Sequence, residues 1–166
     1  MTYDDICSSN KPSEIGSLLR SALCAEWLAY YQYWWASVVV KGGNRSELSE
    51  HFSKHADEEK DHIDKIADRM CQLGVQPVFD TADLKRLTTC DYPTEMDNNE
   101  LSANLLKQII AAEACAVSSY KKLLTMLGND TTTIDIIQQV LTTEEEHLFE
   151  MTREKETLEW MKNVYN

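Results

Sequence analysis

The sequence predicts an all-α fold, a four-helix antiparallel bundle with a long crossover connection that contains a short helix. Three observations predict it. Four long segments carry apolar residues at helical spacing, and the chain has only five Gly and three Pro, which fall at or between segment ends. One gap between segments is far longer than the other two. We therefore expect two helical hairpins, joined by a connection that crosses the bundle from end to end.

Glycine marks the end of three predicted helices. Gly42, Gly74 and Gly128 each follow a periodic segment, which is where glycine commonly ends a helix because it adopts positive φ freely. The long connection covers residues 75–97, and Asp80 to Leu84 within it predicts a short helix. The four long helices are predicted to cover residues 12–41, 44–73, 98–127 and 131–162.

Capping residues mark where three of these helices begin. Asn44 to Glu47 and Asp97 to Glu100 both place a capping residue three positions before a Glu, as a capping box does. A Thr-rich stretch from Asp130 to Asp135 opens the last helix. We expect an N-terminal extension over residues 1–11, a single bundle domain over 12–162 and a short tail over 163–166.

The composition disfavours several classes of protein. Sixteen Lys and Arg against 28 Asp and Glu give a net charge of −12, whereas binding to nucleic acid needs clustered cations. The longest apolar stretch, residues 27–40, is too short to span a membrane. The first eleven residues lack the apolar core of a secretory signal, so we expect a cytoplasmic protein. Five Cys without a C-x-x-C pair make neither a disulfide framework nor a zinc ribbon.

Two of the predicted helices each carry a Glu-x-x-His motif within an apolar stripe. Glu59 and His62 lie in the second helix, and Glu144 and His147 lie in the last. Residues three apart share one face of a helix, so each pair faces the same way as the apolar residues around it. Both motifs are therefore predicted to face the interior.

The other two long helices each place a single Glu in an apolar run. Neither Glu26 nor Glu113 has a Lys or Arg three or four residues away, and a buried Glu without a partner is costly. Four carboxylates balance two divalent cations, and oxygen and nitrogen donors suit iron or manganese. We therefore predict a dinuclear metal site whose ligands also carry the catalytic chemistry: Glu26, Glu59, His62, Glu113, Glu144 and His147.

The competing interpretation is that the acidic stretches are solvated helix faces. It treats Glu58 to Asp64 and Glu144 to Glu146 as charge runs that meet only water. It does not account for Glu26 and Glu113, which lie alone among apolar residues.

The order of these motifs resembles the ferritin-like di-iron family, in which single Glu residues alternate with Glu-x-x-His along four helices. The resemblance covers the chain after residue 12 and is nearest to the bacterioferritin type, because one chain holds all six ligands. It implies two iron ions per subunit, with manganese as the alternative metal. Glu59 and Glu144 would bridge them, Glu26 and Glu113 would be terminal, and each His would bind one ion. Lys60 stands where bacterioferritins have a haem-binding Met, so we expect no haem.

The long middle connection with its short helix makes the chain similar to thioferritins, which are Dps-like proteins with a bacterioferritin-type site. This resemblance implies a Dps-like dodecameric shell and a cysteine pair near the metals, Cys90 and Cys115. From the residues alone the pairing stays open. Cys115 lies about 200° around the helix from Glu113, facing away from the metals, and two reduced thiols are the alternative. We assign no role to the remaining cysteines, Cys7, Cys24 and Cys71.

Other polar and aromatic residues have two interpretations each. His51 and His55 are either metal ligands on an entry path or, as we prefer, a solvated and a semi-buried residue. Tyr30, Tyr33 and Tyr120 are either electron relays or, as we prefer, packing residues with a hydrogen-bonded hydroxyl.

Aromatic residues make the first helix apolar nearly all round, although a bundle helix needs only one buried stripe. The extra residues are Trp27, Tyr31, Trp34 and Trp35. A second apolar face predicts a subunit contact and hence a homo-oligomer.

The resemblance implies a ferroxidase and iron-storage protein that uses hydrogen peroxide, or less readily O2, to oxidise Fe(II) and keeps Fe(III) inside an oligomeric cage. The Cys pair would hold the connection near the site or supply two electrons. The alternatives are a di-manganese catalase or rubrerythrin-like peroxidase without storage, a DNA-protecting Dps protein and a metal-free structural bundle. The first eleven residues contain one Lys, which disfavours direct coating of DNA. Both 12 and 24 subunits remain open.

Overall fold

Four long helices and one short helix make up the described part of the chain, residues 11–93 and 101–165, in a computed structural model. They are α1 (Lys11–Val39), α2 (Arg45–Gln72), α3 (Asp83–Leu87), α4 (Leu101–Met126) and α5 (Thr131–Tyr165). No strand is present within those ranges. The predicted all-α fold, with a short helix in the long connection, is confirmed.

The long helices pack as two hairpins. Helix α1 lies along α2, and α4 lies along α5, while α1 also contacts α4 and α2 contacts α5. The short helix α3 packs against α1. This pattern of neighbours is that of a four-helix bundle with one crossover connection between its hairpins.

Glycine ends α2 as predicted, through a Schellman motif. Gly74 has φ of 70°, its amide donates to the Cys71 carbonyl at 3.0 Å, and the Val75 amide donates to the Met70 carbonyl at 2.9 Å. The turn brings Val75 against α1, where a Cβ on Gly16 would lie 2.6 Å from a Val75 methyl carbon. A side chain at residue 16 would therefore push the start of the connection away from α1.

Asp130 caps the start of α5 and ties it to α2. Its carboxylate accepts the Thr133 amide at 3.1 Å and the Arg69 guanidinium at 2.9 and 3.0 Å. Burial alone raises the pKa of this carboxyl, but the hydrogen bonds from Thr133 and Arg69 outweigh it and lower the pKa below its usual range. This local tie sets the register between the last helix and α2.

Several predicted boundaries need correction. Asn44 precedes α2 but its side chain makes no capping hydrogen bond, so the capping box predicted there is wrong. The short helix covers Asp83–Leu87 rather than 80–84, because the Asp83 amide closes a turn on the Asp80 carbonyl first. Helix α5 continues to Tyr165. The cap predicted at 97–100 and residues 1–10 of the predicted extension lie outside the described residues.

The apolar core is divided into two clusters by a polar layer. Along α1 the layer falls between Leu23 in one cluster and Tyr33 in the other. Along α4 it falls between Ile109 and Val117. The side chains of both clusters are buried, and they shield the polar layer between them from water on either side. Among the described residues, none of the helices contains an apolar segment that could span a lipid bilayer.

Candidate metal centre

The structure brings all six predicted ligands together in this polar layer. Each long helix contributes at mid-length, so the side chains meet at one level of the bundle. Their exposed fractions are Glu26 2%, Glu59 0%, His62 2%, Glu113 3%, Glu144 1% and His147 2%. Such burial is rare for carboxylates unless they are paired or bind a cation, so the competing interpretation of Glu59, His62 and Glu144 as parts of solvated charge runs is wrong.

Three carboxylates converge on one ring nitrogen of His62. Its Nδ1 atom lies 3.1 Å from Glu26 Oε2, 3.2 Å from Glu59 Oε2 and 3.0 Å from Glu144 Oε1. A neutral imidazole carries at most one proton on this atom and can satisfy only some of the three acceptors. A cation placed among these atoms would have ligands from α1, α2 and α5.

A second set of ligand atoms surrounds His147. Its Nδ1 atom lies 3.1 Å from Glu59 Oε1 and 4.0 Å from Glu113 Oε1. Within each set of four residues, one ligand atom from every member lies within 4.8 Å of the others. The two sets share Glu59 and Glu144, which is the geometry that two neighbouring cations need from bridging carboxylates.

Unpaired polar atoms in the layer fit a pair of metal ions. Four buried atoms there make no well-directed hydrogen bond, even though ionisable groups lie 3.0–3.1 Å from some of them: Glu59 Oε1, Glu113 Oε2, Glu144 Oε1 and His147 Nδ1. A buried polar atom without a partner costs free energy, and a cation among these atoms would remove that cost. The donor set of carboxylate oxygens and imidazole nitrogens suits first-row divalent metals.

Protons carry the positive charge of the layer when cations are absent. Burial first, and neighbouring carboxylates second, raise the pKa of Glu59 and Glu113 well above the usual range and that of Glu144 to about 8. Burial opposes a charge on His62, but hydrogen bonds with the surrounding carboxylates raise its pKa to about 12. Metal ions must therefore displace protons from these groups.

Glu26 is the exception among the four carboxylates. Burial acts to raise its pKa, but hydrogen bonds with His62 and Glu59 outweigh burial and lower it. Glu26 therefore holds the negative charge that the protonated His62 neutralises.

Two tyrosines donate hydrogen bonds to two of the buried carboxylates, Glu113 and Glu26. The Tyr33 hydroxyl donates to Glu113 Oε1 at 2.6 Å, and the Tyr120 hydroxyl donates to Glu26 Oε1. Both hydroxyls are buried, and burial raises the pKa of both well above the usual range, so they stay protonated as donors. This matches the interpretation of both tyrosines as packing residues with a hydrogen-bonded hydroxyl.

Sequence reasoning missed Glu58 and misjudged His55. The sequence offers Glu58 only as part of the charge run in the competing interpretation, but its Oε2 atom lies 3.0 Å from His147 Nε2 and so orients that ring. His55, expected to be semi-buried, is completely buried, and its Nε2 atom lies 2.9 Å from Glu150 Oε2. Helical spacing carried no signal for these two contacts because both cross from α2 to α5.

The structure joins Cys90 and Cys115 in a disulfide, with Cα atoms 5.8 Å apart. The connection folds over the outer face of α4, which is where the position of Cys115 relative to Glu113 requires its partner to be. Cys24 and Cys71 form no disulfide, and Cys7 lies outside the described residues.

The disulfide-bonded connection covers one side of the six-residue centre. A small cavity between α1 and α4 is lined by Glu26 and Glu113 on its inner side and by Thr88, Cys90 and Asp91 of the connection on its outer side. The connection therefore separates this flank of the centre from the surface.

The chain belongs to the ferritin-like domain family, whose model matches residues 17–161. Among curated proteins, the DNA protection during starvation protein of Pyrococcus furiosus is 27% identical over 131 residues, which cover 78% of this chain and 70% of that protein.

Solved structures share the fold. A dodecameric thioferritin, the bacterioferritin-related protein from Bacteroides fragilis, is 36% identical with a TM-score of 0.84 and covers 93% of this chain and 91% of that chain. Dps from Thermosynechococcus elongatus is 18% identical with a TM-score of 0.78 and covers 86% of this chain and 90% of that chain. The predicted resemblance to ferritin-like and thioferritin proteins is confirmed.

The metal-free protein should become less stable as the pH rises from about 6.5 to 8.5. Glu144 and His62 bind protons more tightly in the folded protein than in the unfolded chain, so their stabilising contributions fade over this range. Burial lowers the pKa of His55 to about 4. Its effect on stability has the opposite sign and falls below this pH range. We expect a loss of about 2–4 kcal/mol in the free energy of unfolding.

Thermal and urea unfolding of metal-free and Mn²⁺-loaded protein across this range measure the effect. Because Mn²⁺ replaces the protons, its stabilisation should be largest at the highest pH. A metal-free protein with constant stability from pH 6.5 to 8.5 would contradict the proposed protonation of the layer.

Replacing Tyr33 with Phe should weaken Mn²⁺ binding by about tenfold, because Glu113 loses the donor that orients it. Calorimetric titration of Mn²⁺ measures the change. Tyr31→Phe is the matched control, since Tyr31 is 51% exposed on the same helix and should bind Mn²⁺ like the wild type. Equal Mn²⁺ affinities of the two variants would show that Tyr33 does not support metal binding at the centre.

Proposed function

We propose that this protein oxidises Fe(II) with hydrogen peroxide, or less readily with O2, at the six-residue centre and stores the Fe(III) in an oligomeric cage. One observation carries the proposal: two overlapping ligand sets share Glu59 and Glu144 within a layer shielded from water. Membership of the ferritin-like family, with Dps and thioferritin relatives, supports iron storage and protection against oxidants as its general role.

Each ligand has a defined role in this proposal. Glu59 and Glu144 bridge two Fe(II) ions, and the Nδ1 atoms of His62 and His147 bind one ion each. Glu26 completes the first ligand set and Glu113 the second, both as terminal ligands. The assignment is supported by the two sets of four ligand atoms, which share Glu59 and Glu144 and contain one His each.

The reaction balances with two iron ions. Each Fe(II) gives one electron, and hydrogen peroxide takes both electrons and two protons to give two molecules of water. Because the two electrons arrive as a pair, no hydroxyl radical is released. The protein holds the two ions side by side, excludes water and compensates the change in charge through its titrating carboxylates. Fe(III) then leaves for the cage interior as stored product.

A cage requires apolar contacts between subunits, and the outer face of α1 offers one. Tyr31 is 51% exposed, Trp34 47% and Val38 58%, and the two aromatic rings lie 5.6 Å apart. Large apolar side chains grouped on one exposed face are typical of a protein interface. We propose a homo-oligomer of twelve subunits, as in the thioferritin with 36% identity.

Replacing Glu59 with Gln should slow Fe(II) oxidation by about 100-fold or more, because one bridging carboxylate is lost. The fold should survive, since Gln is close to Glu in size and carries no charge that would have to be buried. Stopped-flow oxidation with limiting peroxide gives the rate and the ratio of two Fe(II) per peroxide, and light scattering on the same sample gives the mass of the assembly.

Glu50→Gln is the control, an exposed residue on α2 that should keep the wild-type rate. Oxidation at the wild-type rate in the Glu59 variant would refute the proposed site. Oxygen release from peroxide by the Mn²⁺-loaded protein without Fe(II) would favour the catalase alternative. If the protein slows the migration of duplex DNA in a gel at physiological salt, the result would favour the DNA-protecting alternative.

The Cys90–Cys115 pair, when reduced, should consume one further peroxide per subunit. The dithiol gives two electrons and two protons to peroxide, which forms two molecules of water and the disulfide. Peroxide consumption by reduced protein should therefore fall by one equivalent in Cys90→Ser and in Cys115→Ser. Cys71→Ser, which changes a cysteine outside the disulfide, is the control. If Cys90→Ser and Cys115→Ser consume as much peroxide as the wild type, the pair does not supply electrons and only holds the connection in place.

A further inference from the structure

A larger cavity between α1 and α4 lies beside the disulfide, and we call it the disulfide cavity. Its volume is about 330 Å³, and its walls come from α1, α4 and the connection. Cavities of this size commonly hold small organic molecules. Most of the lining side chains are apolar, among them Leu18, Ala22, Leu123 and Met126. None of the six predicted metal ligands lines it, so it is separate from the six-residue centre.

The disulfide cavity reaches one cysteine of the bonded pair. Cys90 lines this cavity, whereas Cys115 lines neither this cavity nor the small one beside Glu26 and Glu113. Both cysteines are partly buried, so a molecule in the cavity meets the Cys90 side of the S–S bond. A thiolate that attacks one sulfur of a disulfide expels the other as a thiolate. The cavity therefore selects Cys90 Sγ as the attacked atom and Cys115 Sγ as the leaving group.

A hydroxyl group lies against both sulfur atoms. Ser119 Oγ is 3.8 Å from Cys90 Sγ and 3.9 Å from Cys115 Sγ, and Ser119 also lines the disulfide cavity. The Thr89 hydroxyl donates to Ser119 Oγ at 3.1 Å, so the Ser119 proton can point to a sulfur atom. Hydrogen bonds to a charged acceptor are stronger than those to a neutral one. Ser119 therefore stabilises a leaving thiolate more than it stabilises the intact disulfide.

The lining of the disulfide cavity contains one charged side chain among the described residues, Lys122. The neighbouring Lys121 pairs with Glu145 at 2.6 Å, whereas Lys122 has no carboxylate of the described residues within ion-pair distance. Lys122 and Met126 are both exposed and lie one turn apart on α4, so they mark the open side of the cavity. A ligand with an anionic end would place that end beside the Lys122 ammonium group.

We propose that the disulfide cavity binds an aliphatic dithiol with a carboxylate end, which reduces the Cys90–Cys115 bond by attack on Cys90 Sγ. The apolar lining takes the carbon chain of the dithiol. Lys122 takes the carboxylate, and Ser119 donates to the sulfur atom that leaves.

The thiol–disulfide exchange balances in two steps. In the first, one thiolate of the ligand forms a bond to Cys90 Sγ, the bond between the two cysteines breaks, and Cys115 leaves as a thiolate. In the second, the other thiolate of the ligand attacks the ligand sulfur that is bound to Cys90, and Cys90 leaves in the same way. Two electrons and two protons pass to the cysteine pair, and the ligand departs as a cyclic disulfide. The product is the reduced pair that the proposed consumption of peroxide requires.

Two related dithiols test the site on the assembled, oxidised, metal-free protein in the absence of oxygen. Dihydrolipoate has a carboxylate end and dihydrolipoamide a neutral one, and alkylation with mass spectrometry counts the cysteine thiols that each produces. Reduction by dihydrolipoate should saturate with concentration. Lys122→Gln should raise its half-saturation concentration by about three- to fivefold, the loss expected for an exposed ion pair, and should leave that of dihydrolipoamide unchanged. Lys121→Gln, on the neighbouring exposed lysine, is the control and should behave like the wild type.

The role of Ser119 has a different kinetic signature. Ser119→Ala should lower the maximal rate of reduction by about tenfold, because the leaving thiolate loses a donor, and should leave the half-saturation concentration of dihydrolipoate unchanged. Ser118→Ala removes the hydroxyl of the adjacent, exposed serine on α4 and should keep the wild-type rate.

A monothiol identifies the sulfur atom that is attacked. Mercaptooctanoate has a carboxylate end but one thiol, so its reaction stops after the first step. Acid quenching, alkylation and peptide mass spectrometry should then find the bound monothiol on Cys90 and the alkyl group on Cys115.

Any one of three results would overturn the proposal. The first is bound monothiol on Cys115 instead of Cys90. The second is an equal half-saturation concentration of dihydrolipoate for Lys122→Gln and the wild type, and the third is a wild-type rate in Ser119→Ala. None of these readouts involves iron, so they test the disulfide cavity even if the proposed ferroxidase activity fails.

Discussion

The structure depends on one electrostatic constraint, which is that four carboxylates shielded from water need positive charge beside them. Glu26, Glu59, Glu113 and Glu144 are at most 3% exposed and lie within one layer of the bundle. Protons partly supply that charge in the metal-free protein, through His62 and the raised carboxyl pKa values. Cations held by the same atoms would supply it more fully, so metal binding would also stabilise the bundle.

The two flanks of the metal centre differ in chemistry. On the flank between α1 and α4, the connection and its disulfide lie over the centre, and the tyrosine donors come from these two helices. On the flank between α2 and α5, histidines and carboxylates reach from the centre to the surface. The second flank is therefore lined by ionisable side chains, whereas the first flank is covered by the disulfide-bonded connection.

The split of the apolar core explains how the bundle tolerates this layer. Two clusters, one around Leu23 and one around Phe52, bury apolar surface on either side of the polar residues. Their burial offsets part of the free energy that desolvating six ionisable groups costs. The clusters also hold the four helices in a register that brings their ligands to one level, which a ligand set drawn from all four helices requires.

The sequence by itself determined the helices and the face on which each ligand lies. Glu59 and His62, like Glu144 and His147, share a face because residues three apart on a helix must do so. Only the tertiary structure decided which groups meet across helices. Tyr33 pairs with Glu113, Glu58 with His147, and the burial of His55 is complete because α5 covers it. Helical periodicity specifies direction around one axis, but contacts between helices depend on their relative rotation and depth, which local spacing does not encode.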